Sequence, residues 1–252
     1  MQNNIFPTLF VGRSIQKLIE VDSTNNFLKL LLSNYEPPLN GTVIMAENQT
    51  AGRGQYGKQW FSAPGQNLTA SFYLHTSFVP LKNQFLLNMV SSLAVVDCLT
   101  HFLVEDCKVK WPNDVYSGNK KLCGILIENR IQGNHLKDSI IGIGINVNQQ
   151  QFADTTAASS IYVITGQQQN LDKVLEQLCI CLERRYFQLQ EGEDIEKEYL
   201  SKMFRFGEEA VFECAEGRFN GEITGIDEVG RLAIKTNGEI RFFDIKEVSF
   251  IL

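Results

Sequence analysis

An α+β fold is predicted: a mixed β-sheet with helices packed on one side, followed by a small barrel of short strands. Residues 81–103 carry Phe85, Leu86, Met89, Val90, Leu93, Val96 and Leu103 at helical spacing, the pattern of a core helix. Three apolar segments follow, at residues 108–111, 122–127 and 140–147. The first two are separated by Tyr116-Ser117-Gly118-Asn119, a composition that favours a turn and hence a sheet built largely of hairpins. From Gly207 the texture changes to short strands broken by turns.

Residues 15–21 read as an opening strand. Asp22-Ser23-Thr24-Asn25-Asn26 then offers several caps for a helix bearing Phe27, Leu28, Leu30, Leu31 and Leu32, and Pro37-Pro38 ends that unit. After a short strand at 43–46 comes a stretch from 49 to 65 with Gly52, Gly54, Gly57 and Gly65 and little apolar periodicity. Loops this long inside a compact domain are usually functional or mobile. Residues 68–75 alternate as a strand does, and 171–189 form a helix with Leu175, Leu178, Cys179, Leu182 and Phe187 turned inward. Short strands are expected near 210–212, 218–223, 231–235 and 240–243, with Asn237-Gly238 as a strong hairpin signal. A unit of this size is too small to carry much chemistry itself. The expected division is 1–206 and 207–252.

With 44% hydrophobic and 21% charged residues, the chain has the composition of an ordinary globular protein. Acidic residues outnumber basic ones 29 to 23, and a net charge of -6 gives no electrostatic reason to expect DNA or RNA as a partner. The six cysteines lack the paired spacing of a zinc site, and Cys179-Ile180-Cys181 is too close for a CxxC redox motif, so reduced and mostly buried thiols are expected. Neither a targeting segment at Met1-Gln2-Asn3-Asn4-Ile5-Phe6-Pro7 nor an apolar run of about 18 residues is present, which predicts a cytoplasmic protein without a membrane partner.

Gly52-Arg53-Gly54-Gln55-Tyr56-Gly57 matches GxGxxG, but a dinucleotide fingerprint requires a helix opening on the glycines and an acidic residue roughly 20 positions on. Here Lys58-Gln59-Trp60-Phe61 follows, and residues 70–78 hold no carboxylate. What remains is a glycine loop with an arginine, able to wrap backbone N–H groups and a guanidinium around an anion. A second constellation comprises Lys110-Trp111-Pro112-Asn113-Asp114, Lys120-Lys121-Leu122-Cys123-Gly124-Ile125-Leu126 and Gly142-Ile143-Gly144-Ile145-Asn146-Val147-Asn148. Each lies at a strand end, where polar groups can share one cleft and glycines let a ligand approach strand backbone. Taken singly, each has a plain structural explanation: a core tryptophan, a turn cap, a solvated lysine pair, bulge glycines. His75, His101 and His135 read as incidental rather than as bases.

From about Ser23 to its end, the chain resembles the catalytic and C-terminal regions of the biotin–protein ligases, through Asp22-Ser23-Thr24-Asn25, Gln49-Thr50-Ala51-Gly52-Arg53-Gly54, Trp60-Phe61-Ser62, Gly65-Gln66-Asn67-Leu68 and the second constellation, its middle segment continued through Ile127-Glu128, in the same order. The resemblance implies a class II aminoacyl-tRNA synthetase-like catalytic domain and a C-terminal SH3-like barrel. It implies activation of biotin by ATP to biotinyl-5′-AMP, then transfer to a lysine of the biotin carboxyl carrier domain of acetyl-CoA carboxylase. By similarity, Ser23, Thr24, Asn25, Gln49, Gly52 and Arg53 approach biotin's polar groups, and Gly124, Ile125, Leu126, Gly142 and Ile143 flank its valeryl chain. Arg53, Gln55, Trp60, Asn113, Lys121 and Asn146 approach the nucleotide. Lys121 matches the family's key lysine, placed to stabilise charge between two anions, and Arg53 is the second catalytic assignment. Mg²⁺ is expected with ATP's phosphates, with no dedicated protein cage. Asp114 has two open readings, a metal or acceptor-lysine role and a structural turn.

The chain departs from the family in two respects. Gln55 stands where many relatives carry a second arginine, which puts retention of the adenylate in question. Only about twenty residues precede Asp22-Ser23-Thr24, too few for the winged helix-turn-helix of longer relatives, so no operator DNA is expected. The rivals are a lipoate ligase or octanoyltransferase, the latter needing a catalytic cysteine for which Cys123 is the candidate, a silent biotin sensor, and a DNA-binding repressor. Oligomeric state is left open, with a homodimer among the options.

Overall fold

The structure is a computed structural model of the 252-residue chain and describes residues 6–33, 37–153 and 157–251. The first five residues, part of the segment read for targeting, lie outside the described residues. Strand β1 (Ile15–Val21) runs into helix α1 (Thr24–Ser33) and returns as β2 (Val43–Gln49), parallel to β1. A helical crossover of this kind is what a parallel neighbour requires. The glycine loop then leads to β3 (Leu68–His75), and Pro80 and a single 3₁₀ turn precede α2 (Leu86–His101). The window read as one helix over 81–103 is therefore shorter, since the turn at Leu81–Asn83 takes its first residues.

A meander follows: β4 (Cys107–Lys110), β5 (Asp114–Ser117), β6 (Lys120–Gln132) and β7 (His135–Ile145), all antiparallel. β6 and β7 are longer than their apolar runs, because a turn at Gly133, with φ +61, pairs polar residues beyond them. The seven strands lie in the order β1-β2-β3-β7-β6-β5-β4. Helices α3 (Ile161–Thr165), α4 (Leu171–Gln190) and α5 (Glu196–Ser201) complete this part. Asn170 caps α4, its side-chain oxygen accepting from the N–H groups of Asp172 and Lys173.

The helices do not all pack on one side, and this corrects the sequence expectation. Leu28 of α1 packs with Ile44, Tyr73 and Ile140, whereas the adjacent Val43, Phe72 and Ile141 share a cluster with Leu93 of α2 and Leu178 of α4. Successive strand residues point to opposite faces, so α1 covers one face and α2 and α4 the other. Beyond the N-terminal start of α1 its face of the sheet is uncovered by helix, and there the cavity lies.

β8 (Glu209–Cys214), β9 (Gly217–Ile226), β10 (Leu232–Thr236), β11 (Glu239–Phe243) and β12 (Val248–Phe250) form a second, wholly antiparallel sheet in the order β11-β10-β9-β8-β12. Sequence periodicity identified four of these strands and missed β12. Among the described residues β11 and β12 are edge strands, so the arrangement is an open sheet. Phe212, Ile223 and Leu232 belong to the same apolar cluster as Leu93 and Leu178, so one core runs from the first sheet into the second.

Candidate active site

Strand register builds the floor of the site. Thr69 pairs with Gly144 and Ser71 with Gly142 across β3 and β7. Gly124 and Leu126 of β6 pair with the same two glycines, and Asp114 of β5 pairs with Gly124. These residues therefore share the face on which α1 sits. A Cβ added at Gly142 would lie 2.4 Å from Asn25 Oδ1, and one at Gly144 would lie 2.5 Å from Trp60 Cε2. The glycines thus make room for two protein side chains, which line a cavity of about 470 Å³ above them.

At one end of the cavity the start of α1 supplies buried polar groups. Ser23, Thr24 and Asn25 are all buried. Gln49 Oε1 accepts from Thr24 N–H at 2.8 Å and lies 3.2 Å from its hydroxyl, capping the helix. Ser71 Oγ lies 2.7 Å from Thr24 Oγ1 and 2.5 Å from Asn25 Oδ1, with one hydroxyl proton to serve the two. Asn25 Nδ2 donates to Glu128 at 2.9 Å. Buried amides and hydroxyls need such partners, and the network fixes which way each side chain points.

The glycine loop folds as a small hairpin over this floor. Trp60 N–H donates to Gly52 O at 2.9 Å, Gly54 N–H donates to Lys58 O at 2.7 Å, and Tyr56 turns the chain with φ 56. A side chain at Gly52 would meet Trp60 O at 2.4 Å, which accounts for the glycine there. Arg53 donates to Asn26 Oδ1 at 2.8 Å and to both oxygens of Glu128, at 2.9 and 3.2 Å. Trp60 Nε1 is buried and has no hydrogen-bond partner among the described residues.

Lys121 Nζ forms a 2.7 Å ion pair with Asp114 and stands 5.7 Å from the centre of the Trp60 ring. Lys110 Nζ lies 4.9 Å from the Tyr116 ring and 5.3 Å from the Phe250 ring. Burial holds the Lys110 pKa below the ordinary lysine value, with Lys121, Arg205 and Lys58 acting in the same direction and Asp114 opposing them. Lys246 reaches in from the second sheet and places Nζ 3.9 Å over the Tyr56 ring. The cavity lining thus includes five cations, Arg53, Lys58, Lys110, Lys121 and Lys246, and one carboxylate, Asp114. A concave surface so charged concentrates anions even though the chain is net acidic.

The structure brings together Ser23, Thr24, Asn25, Gln49, Arg53, Gln55, Trp60, Asn113, Asp114, Lys121, Gly124, Leu126 and Gly142 around this cavity. Ile125 and Ile143 also border it, but their side chains lie in the core on the α2 face, so they contribute backbone. Asn113 Nδ2 is committed to Ile125 O at 2.7 Å. Asn146 does not line the cavity; it is buried and bonded to Ser159 O at 2.9 Å. Gly52 borders a neighbouring cavity behind the loop. Cys123 is fully buried on the core face, and burial raises its thiol pKa well above the ordinary value, the opposite of an activated nucleophile. Sequence reasoning missed Ser71, Glu128, Lys110 and Lys246. Lys110 and Glu128 stood inside recognised motifs, whereas Ser71 and Lys246 carried no signal in the chain.

Residues 18–146 match the model of the biotin/lipoate A/B protein ligase family. The bifunctional ligase/repressor BirA of Bacillus subtilis is 31% identical over 227 residues, covering 88% of this chain and 69% of that protein. The biotin–acetyl-CoA-carboxylase ligase of Paracoccus denitrificans is 28% identical over 244 residues, covering 92% and 99%. Among solved structures, the biotin protein ligase from Aquifex aeolicus in complex with biotin and ATP aligns with a TM-score of 0.77 at 31% identity, over 94% of this chain and 97% of that one.

Proposed function

Because the chain belongs to the biotin/lipoate A/B protein ligase family, we propose that its cavity activates biotin with ATP and passes it to a carrier lysine. The convergence of five cations and one carboxylate beside buried hydroxyls and amides carries this reading. The two reacting groups, biotin's carboxylate and the α-phosphate, are both anions, and their repulsion is the first barrier to the reaction. Lys121 and Arg53 offset it by presenting charged donors to both, and stabilise the charge that builds as carboxylate oxygen attacks phosphorus and pyrophosphate leaves. The carrier amine then attacks the acyl carbonyl of biotinyl-5′-AMP, the bond to AMP oxygen breaks, and an amide forms. No enzyme nucleophile is needed, in keeping with the buried state of Cys123.

Ser23, Thr24, Asn25 and Gln49 offer both donors and acceptors, as biotin's ureido ring requires. The shallow backbone at Gly124 and Gly142 beside Leu126 suits the valeryl chain, and Gln55, Trp60 and Asn113 face the nucleotide. Asn146 acts from outside the cavity by fixing the Ser159 carbonyl. The 2.7 Å pair favours a role for Asp114 in orienting Lys121. Asp114 is also the lining carboxylate able to share Mg²⁺ with ATP's phosphates, and such an ion would neutralise charge on the leaving pyrophosphate. Residues 207–252 form an SH3-like unit that adds Lys246, Ser249 and Phe250 to the cavity rim. The acceptor is the carrier domain of acetyl-CoA carboxylase, and the reaction is cytoplasmic. Among the described residues no helix is long and apolar enough to cross a membrane.

The test is exchange of labelled pyrophosphate into ATP with biotin or lipoate as the acid. Exchange with biotin alone, reduced by about a hundredfold or more in Lys121→Ala, is expected, as for loss of a transition-state charge donor. A folded protein giving no exchange overturns the reading, and exchange with lipoate alone shifts it to the lipoate branch of the family.

A further inference from the structure

Glu128 lies on the same face of β6 as Gly124 and Leu126, opposite Ile140 of β7, and lines the neighbouring cavity behind the glycine loop, which Arg53 also borders. Its side chain is 19% exposed, and it gathers donors from two separate parts of the site. Lys29 of α1 approaches Oε1 at 2.6 Å, and Arg53 of the glycine loop bonds Oε1 at 2.9 Å and Oε2 at 3.2 Å. Asn25 of α1 donates to Oε2 at 2.9 Å. Burial alone raises the Glu128 pKa, but the bonds from Lys29, Asn25 and Arg53 outweigh it and hold the carboxyl below its ordinary range. Glu128 is therefore anionic at neutral pH. It is the carboxylate to which the loop guanidinium is bound in fork-to-fork geometry.

We propose that Glu128 is a positioning residue that ties Arg53 and Asn25 to one carboxylate, so that anion capture by the glycine loop proceeds as an exchange of Glu128 for the incoming carboxylate or phosphate. The inference rests on the ligase reading for the identity of that anion. The arrangement has two consequences. Asn25, fixed between Glu128 and Ser71, keeps its amide oriented toward the cavity whichever anion Arg53 holds. The grip of Arg53 on a substrate is set against its grip on Glu128, and Lys29, sharing Oε1, weakens the latter. An arginine–carboxylate pair this exposed is weak enough to exchange readily.

Two substitutions at this cluster therefore act with opposite sign. Glu128→Gln keeps the shape and an acceptor for Asn25 but removes the charge that competes for Arg53. We expect it to lower the biotin KM in pyrophosphate exchange by about two- to fivefold, the range of a partly exposed ion pair. Lys29→Ala leaves Arg53 as the one cation on Glu128 among the described residues, and is expected to raise the biotin KM by about the same factor at unchanged kcat. Hydrogen exchange of the loop amides at residues 52–58, measured on the full chain without substrates, is expected to be faster in Glu128→Gln and slower in Lys29→Ala. Opposed KM shifts with opposed loop exchange support the assignment. Any other pattern, including a rise in KM for both variants or no change in either, overturns it. Failure of the ligase reading is distinguishable, because absent pyrophosphate exchange in the unaltered protein leaves the loop measurement intact as the deciding readout.

Discussion

Trp60 lies directly on the backbone of Gly144, and Asn25 lies as closely on Gly142. The glycine pattern announced a close approach to strand backbone, but the first groups to use it are side chains of the protein itself. Only register tells this, because Gly142 and Gly144 become neighbours of Ser71 and Thr69 through pairings that no local spacing encodes. Gly144→Ala is the sharpest residue-scale test. The added methyl would displace the Trp60 ring, which is half-buried and belongs to the loop, so folding should be little affected. We expect the KM of biotin or ATP to rise by about tenfold or more, the effect of misplacing a group that lines the site. A thermal midpoint close to that of the unaltered protein with an unchanged KM would show that Trp60 has no part in binding. Ser71 illustrates the limit of sequence reading from another side: one serine in an apolar strand carries no message until Thr24 and Asn25 are packed against it.

Three helices meet at Arg185, whose side chain is 5% exposed. From α4 it bonds Asp97 of α2, at 2.8 and 3.1 Å, and both oxygens of Glu198 of α5, at 2.6 Å each. The helical periodicity of α2 and α4 was legible, but this junction was not, since it joins Asp97 to residues far along the chain. Removing the buried cation leaves two carboxylates facing each other, and Arg185→Met should cost about 3 kcal/mol, at the low end for breaking a buried pair. Arg185 also sets a pH dependence, because its bond lowers the Glu198 pKa below the ordinary value. A carboxyl with a lowered folded pKa stabilises the fold above its unfolded pKa, about 4.3, and that contribution disappears as pH falls through the folded value. Because Glu198 is 42% exposed, solvent screening makes the contribution small. Thermal midpoints measured from pH 7 downward should therefore fall more steeply below about pH 4 in the unaltered protein than in Arg185→Met. Parallel curves would remove the role assigned to this pair.

Across the whole molecule, the turn at Gly230 is one of the points where the second sheet docks on the first, beside the shared apolar core and the approach of Lys246 to Tyr56. Trp111 Nε1 donates to Gly230 O at 2.9 Å, and Gly230 has φ +91 and faces Phe85, where an added Cβ would come within 2.2 Å. Gly230→Ala combines a backbone conformation unfavourable to alanine with a clash against a core ring. We expect a loss of about 2 kcal/mol or more, together with a raised KM for ATP because Lys246 and Phe250 are carried on that sheet. Since the apolar core continues from one sheet to the other, unfolding by calorimetry should show one transition. Two resolved transitions would instead mean that the units expected at 1–206 and 207–252 are energetically separate.

By itself the sequence determined most elements, the ordered motifs and the kinds of residue available for the chemistry, because caps, turns and apolar periodicity act over a few positions. It also marked Arg53 and Lys121, although their roles came through resemblance to a family. Tertiary structure alone decided that α1 lies across the sheet from α2 and α4, that Ile125 and Ile143 turn into the core, and that Arg53 answers to Glu128. It also brought Lys246 of the second sheet over Tyr56, completing a cationic cavity in an acidic chain. The reason is common to all of these: strand register, facing and docking join residues far apart in the chain, and no local pattern records which partners meet.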